Sequence, residues 1–263
     1  MNILLTNDDG IASAGINSAY KFLSLHHDVY MIAPEVEQSA CSNAITVRTQ
    51  LSIKKTAENK FSVSGFPADC VIIGLSSNYV PDVDLVISGI NHGPNVGDDL
   101  FFSGTVAGAR TAYIFGKAAL AISINSYRRP SQYADDAARF LADFIDEITP
   151  DIAAHSSGPV KSTSEEPSIM PFFNINYPDL PADHIKGKKF TYVGRRIYRD
   201  SFQNTTLDAD EARVQMGGYI ESVFAQGSDS TELDKGYISI TPLKLDCTDY
   251  SYLKKKSPGV VDG

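Results

Sequence analysis

The stretch Asn2-Ile3-Leu4-Leu5-Thr6-Asn7-Asp8-Asp9-Gly10 opens the chain and sets the reading of the fold. Ile3, Leu4 and Leu5 are apolar without alternation, as expected of a parallel strand covered on both faces. A polar turn follows, and then Ile16, Ala19, Tyr20 and Leu23 recur at helical spacing. Val29 to Ala33 reads as a second strand, ended by Pro34. A helix is expected from Pro67-Ala68-Asp69 through Leu75, a buried strand over Asp84 to Ser88, a helix over Val106 to Phe115 and a strand over Ala119 to Ile124. Ala137, Phe140, Leu141, Phe144, Ile145 and Ile148 mark one amphipathic helix. This alternation predicts an α/β fold, a doubly wound, mostly parallel Rossmann-like sheet.

The last third reads differently. His155 to Ser168 is rich in Ser, Thr, Pro and Glu and reads as a surface loop. Phe172 to Tyr177 and Tyr237 to Leu245 alternate apolar and polar residues, and Lys189 to Tyr198 reads as extended. No repeat or abrupt linker divides the chain. A single domain, 1–263, is expected: a doubly wound core in 1–150 and a strand-rich C-terminal extension in 170–263.

The 263 residues are 43% hydrophobic and 21% charged, with a net charge of −9, which suits a globular protein and excludes disorder. The acidic balance argues against nucleic-acid polymers and anionic membranes as partners. Cys41, Cys70 and Cys247 form no CxxC and no zinc spacing, so they read as free thiols. Met1 leads directly into the first strand with no basic leader, and no apolar run reaches membrane-spanning length. A cytoplasmic location is the expectation.

In open α/β sheets, ligands bind beyond the carboxyl ends of the strands. Asp8 and Asp9 stand there, and two adjacent carboxylates repel unless a cation lies between them. Gly10 is free to take a positive φ and turn both toward one point. A second loop, Ser88-Gly89-Ile90-Asn91-His92-Gly93-Pro94-Asn95-Val96-Gly97-Asp98-Asp99, again follows a buried strand. His92 is a candidate base there, although a lone loop histidine is more often merely exposed. Ser103-Gly104-Thr105 opens a helix, where capping alone explains the residues but free N–H groups also make an anion site. There is no GxGxxG after the first strand, no GxxxxGK[ST], no GxSxG and no HExxH. The candidate donors are all oxygens, which suits Mg²⁺ or Mn²⁺. A hard cation beside a phosphate-binding helix end points to phosphoryl chemistry.

These loops, in this order, carry a family resemblance. With Ser64-Gly65-Phe66-Pro67-Ala68-Asp69-Cys70-Val71, Asn174-Ile175-Asn176-Tyr177-Pro178 and Ser239-Ile240-Thr241-Pro242-Leu243, the chain resembles the SurE family of 5′/3′-nucleotidases along almost its whole length. The resemblance implies a phosphomonoesterase for nucleoside monophosphates, with one Mg²⁺ or Mn²⁺ per subunit held by Asp8, Asp9, Ser39 and Asn91. It also implies a phosphate site formed by Asn95, Ser103, Gly104 and Thr105, some action on short polyphosphate, and self-association as dimer or tetramer through C-terminal elements. Asp8 is the implied catalytic residue, either as a metal ligand or as the nucleophile itself. The family usually has glycine where Ala40 stands, threonine at Phe66, tyrosine at Phe102, glutamate at Thr111 and proline at Ala118. Two rivals fit the acidic pair: a receiver-like phosphoacceptor module, normally much shorter than this chain, and a binding protein that keeps the fold with weakened turnover.

Overall fold

The computed structural model describes residues 1–126, 130–155, 170–206 and 212–257. The stretch 156–169, most of the segment read as a surface loop, lies outside the described residues.

The opening run forms β1 (Asn2–Thr6), followed by α1 (Ala14–Leu23) and β2 (Asp28–Pro34). β3 (Ile53–Ala57) and β4 (Lys60–Val63) form a hairpin. α2 (Pro67–Ser76), β5 (Leu85–His92), α3 (Gly104–Ile114), β6 (Ala118–Asn125) and α4 (Ala134–His155) complete the wound half. Beyond it come β7 (Phe172–Pro178), β8 (Lys188–Phe190), β9 (Arg195–Thr206), β10 (Ala212–Val223), α5 (Asp229–Asp234), β11 (Ile238–Pro242) and α6 (Tyr250–Lys256).

Nine strands make one sheet in the order β3-β4-β2-β1-β5-β6-β7-β11-β8. From β4 to β7 every neighbouring pair is parallel, while β3 and β11 run against their neighbours β4 and β7. β1 pairs with β2 on one side and β5 on the other. The winding therefore reverses between β1 and β5, and the crevice at that switch is where such sheets bind ligands. The apolar run of β1 divides as a strand covered on both faces must. Ile3 and Leu5 pack with Ile16, Leu23, Leu141 and Ile145 of α1 and α4, and Leu4 packs with Val71 and Val106 of α2 and α3.

The parallel, doubly wound expectation holds, and every strand and helix named for the first half is present. The strand-rich extension has a more definite place than its sequence suggested. Ile238 and Ile240 are buried because β11 lies inside the main sheet between β7 and β8. The β3–β4 hairpin escaped notice because Ile53-Lys54-Lys55-Thr56-Ala57 is mostly exposed and lacks an apolar alternation. Lysines on such an outer strand also discourage edge-to-edge pairing. β9 and β10 pair only with each other, in twelve-residue register. They leave Ile197, Val214, Met216, Tyr219, Ile220 and Val223 exposed.

Candidate active site

Asn7 sets the turn that carries the acid pair. Its side-chain NH₂ donates to Gly10 O at 2.9 Å and to Ser13 Oγ at 2.8 Å, and Gly10 takes φ +91°. The turn expected from Asp-Gly thus forms. Asp8 is 4% exposed, and its Oδ1 accepts a 2.6 Å bond from Thr105 Oγ1. Burial first, and then the neighbouring Asp9 charge, push the Asp8 carboxyl up to about 6, against the opposing pull of the Thr105 bond. Asp9 Oδ2 accepts from the backbone N–H of His92 at 3.1 Å. The main chain of His92 thus meets the acid pair.

β5 brings the second loop to the same end of the sheet, next to β1. Asn91, at the end of β5, is buried, and its side-chain NH₂ donates to Gly93 O at 2.8 Å. That leaves the amide oxygen as the acceptor end. Asn95 is buried as well. Its Nδ2 donates to Ser123 Oγ at 2.8 Å and, more weakly, to Thr105 Oγ1 at 3.4 Å.

α3 points its N-terminus at Asp8. Ser103 is the N-cap, its Oγ accepting from Val106 N at 3.0 Å. Capping is therefore one of its roles, and its hydroxyl hydrogen is left to donate elsewhere. The N–H groups of Gly104 and Thr105 belong to the first turn, which has no intrahelical acceptors, so they and the helix dipole offer an anion site. A Cβ on Gly104 would lie 2.8 Å from Cys41 Sγ and 2.9 Å from Asp8 Cβ. Glycine is required there for the helix end to approach the acid so closely. Because the Thr105 hydroxyl donates to Asp8, an anion contact from this residue falls to its backbone N–H.

Ser39 is set apart from this cluster. The Gln38 N–H donates to Asp8 O at 2.7 Å, which ties its segment to the acid turn. The Ser39 side chain itself is exposed, however, and its hydroxyl donates to Glu37 Oε1 at 2.7 Å. Ala40 follows at φ +56° and Ser42 at +51°, and Ser42 is fastened to Phe102 O and Phe101 O at 2.9 and 2.7 Å. The positive φ at 40 accounts for the glycine usual at that position. Phe102 is exposed and meets Tyr198 edge-on, with ring centroids 5.9 Å apart. Thr111 is buried and hydrogen-bonds Ala107 O and Asn43 Nδ2 at 2.8 and 3.2 Å, a role that needs no charge.

Asp98 and Asp99, adjacent acids in the same loop, face elsewhere. Asp99 binds the Arg196 guanidinium at 3.0 Å and the Tyr198 hydroxyl at 2.6 Å, and Asp98 accepts from Arg196 N at 2.8 Å. Buried Asp229 accepts from Gly97 N and Gly194 N at 2.8 and 2.9 Å and links the same two segments. These acids brace the short 3₁₀ turn Gly97–Phe101 against the start of β9.

Among the described residues no three His, Cys, Asp or Glu side chains gather as a metal-holding group. The oxygen donors at this end of the sheet are the two carboxylates after β1 and, at the end of the neighbouring β5, the neutral amide oxygen of Asn91. This set fits a hard divalent cation, whose charge offsets the repulsion that raises Asp8. Loss of a charged donor is expected to matter more than loss of a neutral one. Asp9→Asn should therefore weaken the metal activation constant by about a hundredfold, and Ser39→Ala by no more than about tenfold. The two constants are read from metal-dependent rates or by calorimetry. A larger effect in Ser39→Ala would place that hydroxyl on the substrate instead.

Residues 3–200 match the family model described as "Survival protein SurE". The chain is 36% identical to the protein named 5′-nucleotidase SurE of Leptospira interrogans over 258 residues, covering 98% of this chain and 97% of the relative. It is 38% identical over 261 residues to a protein of the same name from Thermosipho africanus, covering 97% and 96%. The crystal structure of the SurE protein from Aquifex aeolicus superposes with a TM-score of 0.77 at 30% identity, covering 97% of this chain and 98% of that one.

Proposed function

From the premise that the chain belongs to the SurE family, we propose that it hydrolyses nucleoside 5′-monophosphates to nucleoside and orthophosphate at the Asp8–Asp9 site. It is a 5′-nucleotidase, a phosphoric monoester hydrolase. The observation that carries the reading is the approach of the α3 N-terminus to buried Asp8, one of an acid pair at the switch point of the sheet. That approach supports the reading of an anion site beside a cation site.

Asp8, Asp9 and the Asn91 amide oxygen would hold a divalent cation, Mg²⁺ or Mn²⁺, which supplies Lewis-acid polarisation of a phosphoryl oxygen. The N–H groups of Gly104 and Thr105, the Ser103 hydroxyl and the Asn95 amide hold the remaining phosphoryl oxygens. The Asn95 hydrogen that makes only the 3.4 Å contact to Thr105 is the one available to them. The Thr105 hydroxyl fixes the orientation of Asp8. An oxygen nucleophile, either water or the Asp8 carboxylate, forms the new P–O bond as the bond to the 5′-oxygen breaks, and the departing alkoxide takes a proton from water. On the Asp8 route a water then attacks the phosphorus of the aspartyl-phosphate, releasing orthophosphate and restoring the carboxylate. Rapid quenching of a single turnover followed by hydroxylamine or borohydride trapping separates the two nucleophiles, since a product trapped at Asp8 marks the covalent route.

The 3′-monophosphates enter as secondary substrates. The exposed apolar residues of β9 and β10 form the surface through which the chain self-associates as a dimer or tetramer. Among the described residues no helix is long and apolar enough to cross a membrane, in keeping with a cytoplasmic enzyme.

The reading is tested by phosphate release from nucleoside 5′- and 3′-monophosphates, a triphosphate, a simple aryl phosphate and short polyphosphate. Monophosphates are expected to lead. One cation and one helix end serve a single terminal phosphoryl group, and a net charge of −9 disfavours a long polyanion. Inactivity on every ester would overturn the assignment and favour a binding protein.

A further inference from the structure

Two buried asparagines on β7 lie outside the metal and phosphate sets, yet they converge on one phosphate-site residue. Asn174 and Asn176 are both fully buried, and their spacing of two puts them on one face of the strand. Asn176 Oδ1 accepts from the Asn95 backbone N–H at 2.8 Å, and its Nδ2 donates back to Asn95 O at 3.0 Å. Asn174 Nδ2 donates to the same Asn95 oxygen at 2.7 Å. Ser123, the register partner of Asn176 on β6, accepts from the Asn95 side chain at 2.8 Å. Both polar groups of the Asn95 peptide and one hydrogen of its amide are thereby held by side chains of two neighbouring strands.

The arrangement is a poor choice for stability alone. Asn174 Oδ1 is buried and has no hydrogen-bond partner among the described residues. An unsatisfied buried acceptor destabilises, and an apolar side chain of similar volume would avoid it. We propose, resting on the phosphatase reading of this site, that Asn174, Asn176 and Ser123 are positioning residues that clamp Asn95 toward the phosphoryl group. A loop residue can meet a transition state only if its peptide is held, and small misplacements are costly in rate.

The test compares wild type with Asn174→Leu and Ser123→Ala, changes that leave the metal ligands and the α3 N-terminus intact. Each variant is expected to lose about 10- to 100-fold in kcat and to bind orthophosphate, measured as a competitive inhibitor, correspondingly more weakly. The metal activation constant and the melting temperature should stay close to wild type. A packing role alone would lower the melting temperature and leave kcat per folded molecule unchanged. Folded variants whose kcat and orthophosphate inhibition both remain within about twofold of wild type would overturn the clamp. If Asn174→Leu fails to fold, Ser123→Ala carries the same comparison. If wild type releases phosphate from no ester, the nucleotidase reading fails by itself, and calorimetric titration of orthophosphate into the same proteins reads the clamp. Weaker binding in the variants then supports the clamp, and equal or absent binding overturns it.

Discussion

Asp8→Asn is expected to remove nearly all phosphatase activity, by roughly a thousandfold or ~4 kcal/mol of barrier. The substitution keeps the volume of a side chain that is only 4% exposed, and an amide oxygen can still accept the Thr105 hydroxyl. What it deletes is a charge that the cation needs and the carboxylate proposed here as the alternative nucleophile. Stability should move the other way. The Asp8 carboxyl is raised from 3.8 to about 6, chiefly by burial, so its favourable neutral form is fully populated below pH 3.8 and lost as pH rises through about 6. Above that range the metal-free wild type carries a buried charge beside Asp9, and the amide does not. Thermal melts in chelator at pH 7.5 should therefore place Asp8→Asn at or above wild type. Near-normal turnover would sink the site assignment. Lost activity accompanied by a collapsed melting temperature would mean that the variant reports on the fold instead of on the chemistry.

The parts of the site that could be read from sequence are those where a residue's meaning is fixed by its place on a strand. Ile3-Leu4-Leu5 announces a buried parallel strand, so Asp8 and Asp9 must emerge at its carboxyl end, and the structure puts them there. Ser103 before a helical run announces a cap, and it is one. The contribution of Thr105 to Asp8 was hidden, because a hydroxyl in the first turn of a helix has several possible partners and only the packing of α3 against β1 selects one. Asn174 and Asn176 were legible as residues of a strand but not as partners of Asn95, some eighty positions away. That meeting depends on β7 lying beside β6 and on the loop after β5 folding back over both. Asp98 and Asp99 show the opposite case. They look as promising as Asp8 and Asp9, yet Arg196 and Tyr198, far along the chain, engage them. The second strand of the β9–β10 pair gave only a faint signal, since nearly all of β10 is exposed and the alternation of a half-buried strand does not develop there.

Removal of divalent cations is expected to have the other large effect. Exhaustive chelation should lower phosphate release by at least about a hundredfold, because the cation site supplies charge stabilisation that no described side chain replaces. The cation and the α3 N-terminus are the positive charges expected to meet the phosphoryl group, with the Asn95 amide as a neutral donor beside them. Mn²⁺ or Mg²⁺ should restore activity better than Zn²⁺, since the donors are carboxylate and amide oxygens with no imidazole or thiolate among them. The fold itself should survive. β1 and β5 are held by apolar side chains on both faces, with Ile3, Leu4, Leu5, Leu85, Val86 and Ile87 all fully buried, so circular dichroism of the metal-free protein should match the loaded one. Adding metal at ~100 times its dissociation constant should then raise stability by about 2.7 kcal/mol, through binding to the native state alone. The same metal should produce little or no such rise in Asp9→Asn. Activity that survives chelation would overturn the cation's part in the chemistry. A metal-free protein that unfolds outright would show that the acid pair serves the fold first and the reaction second.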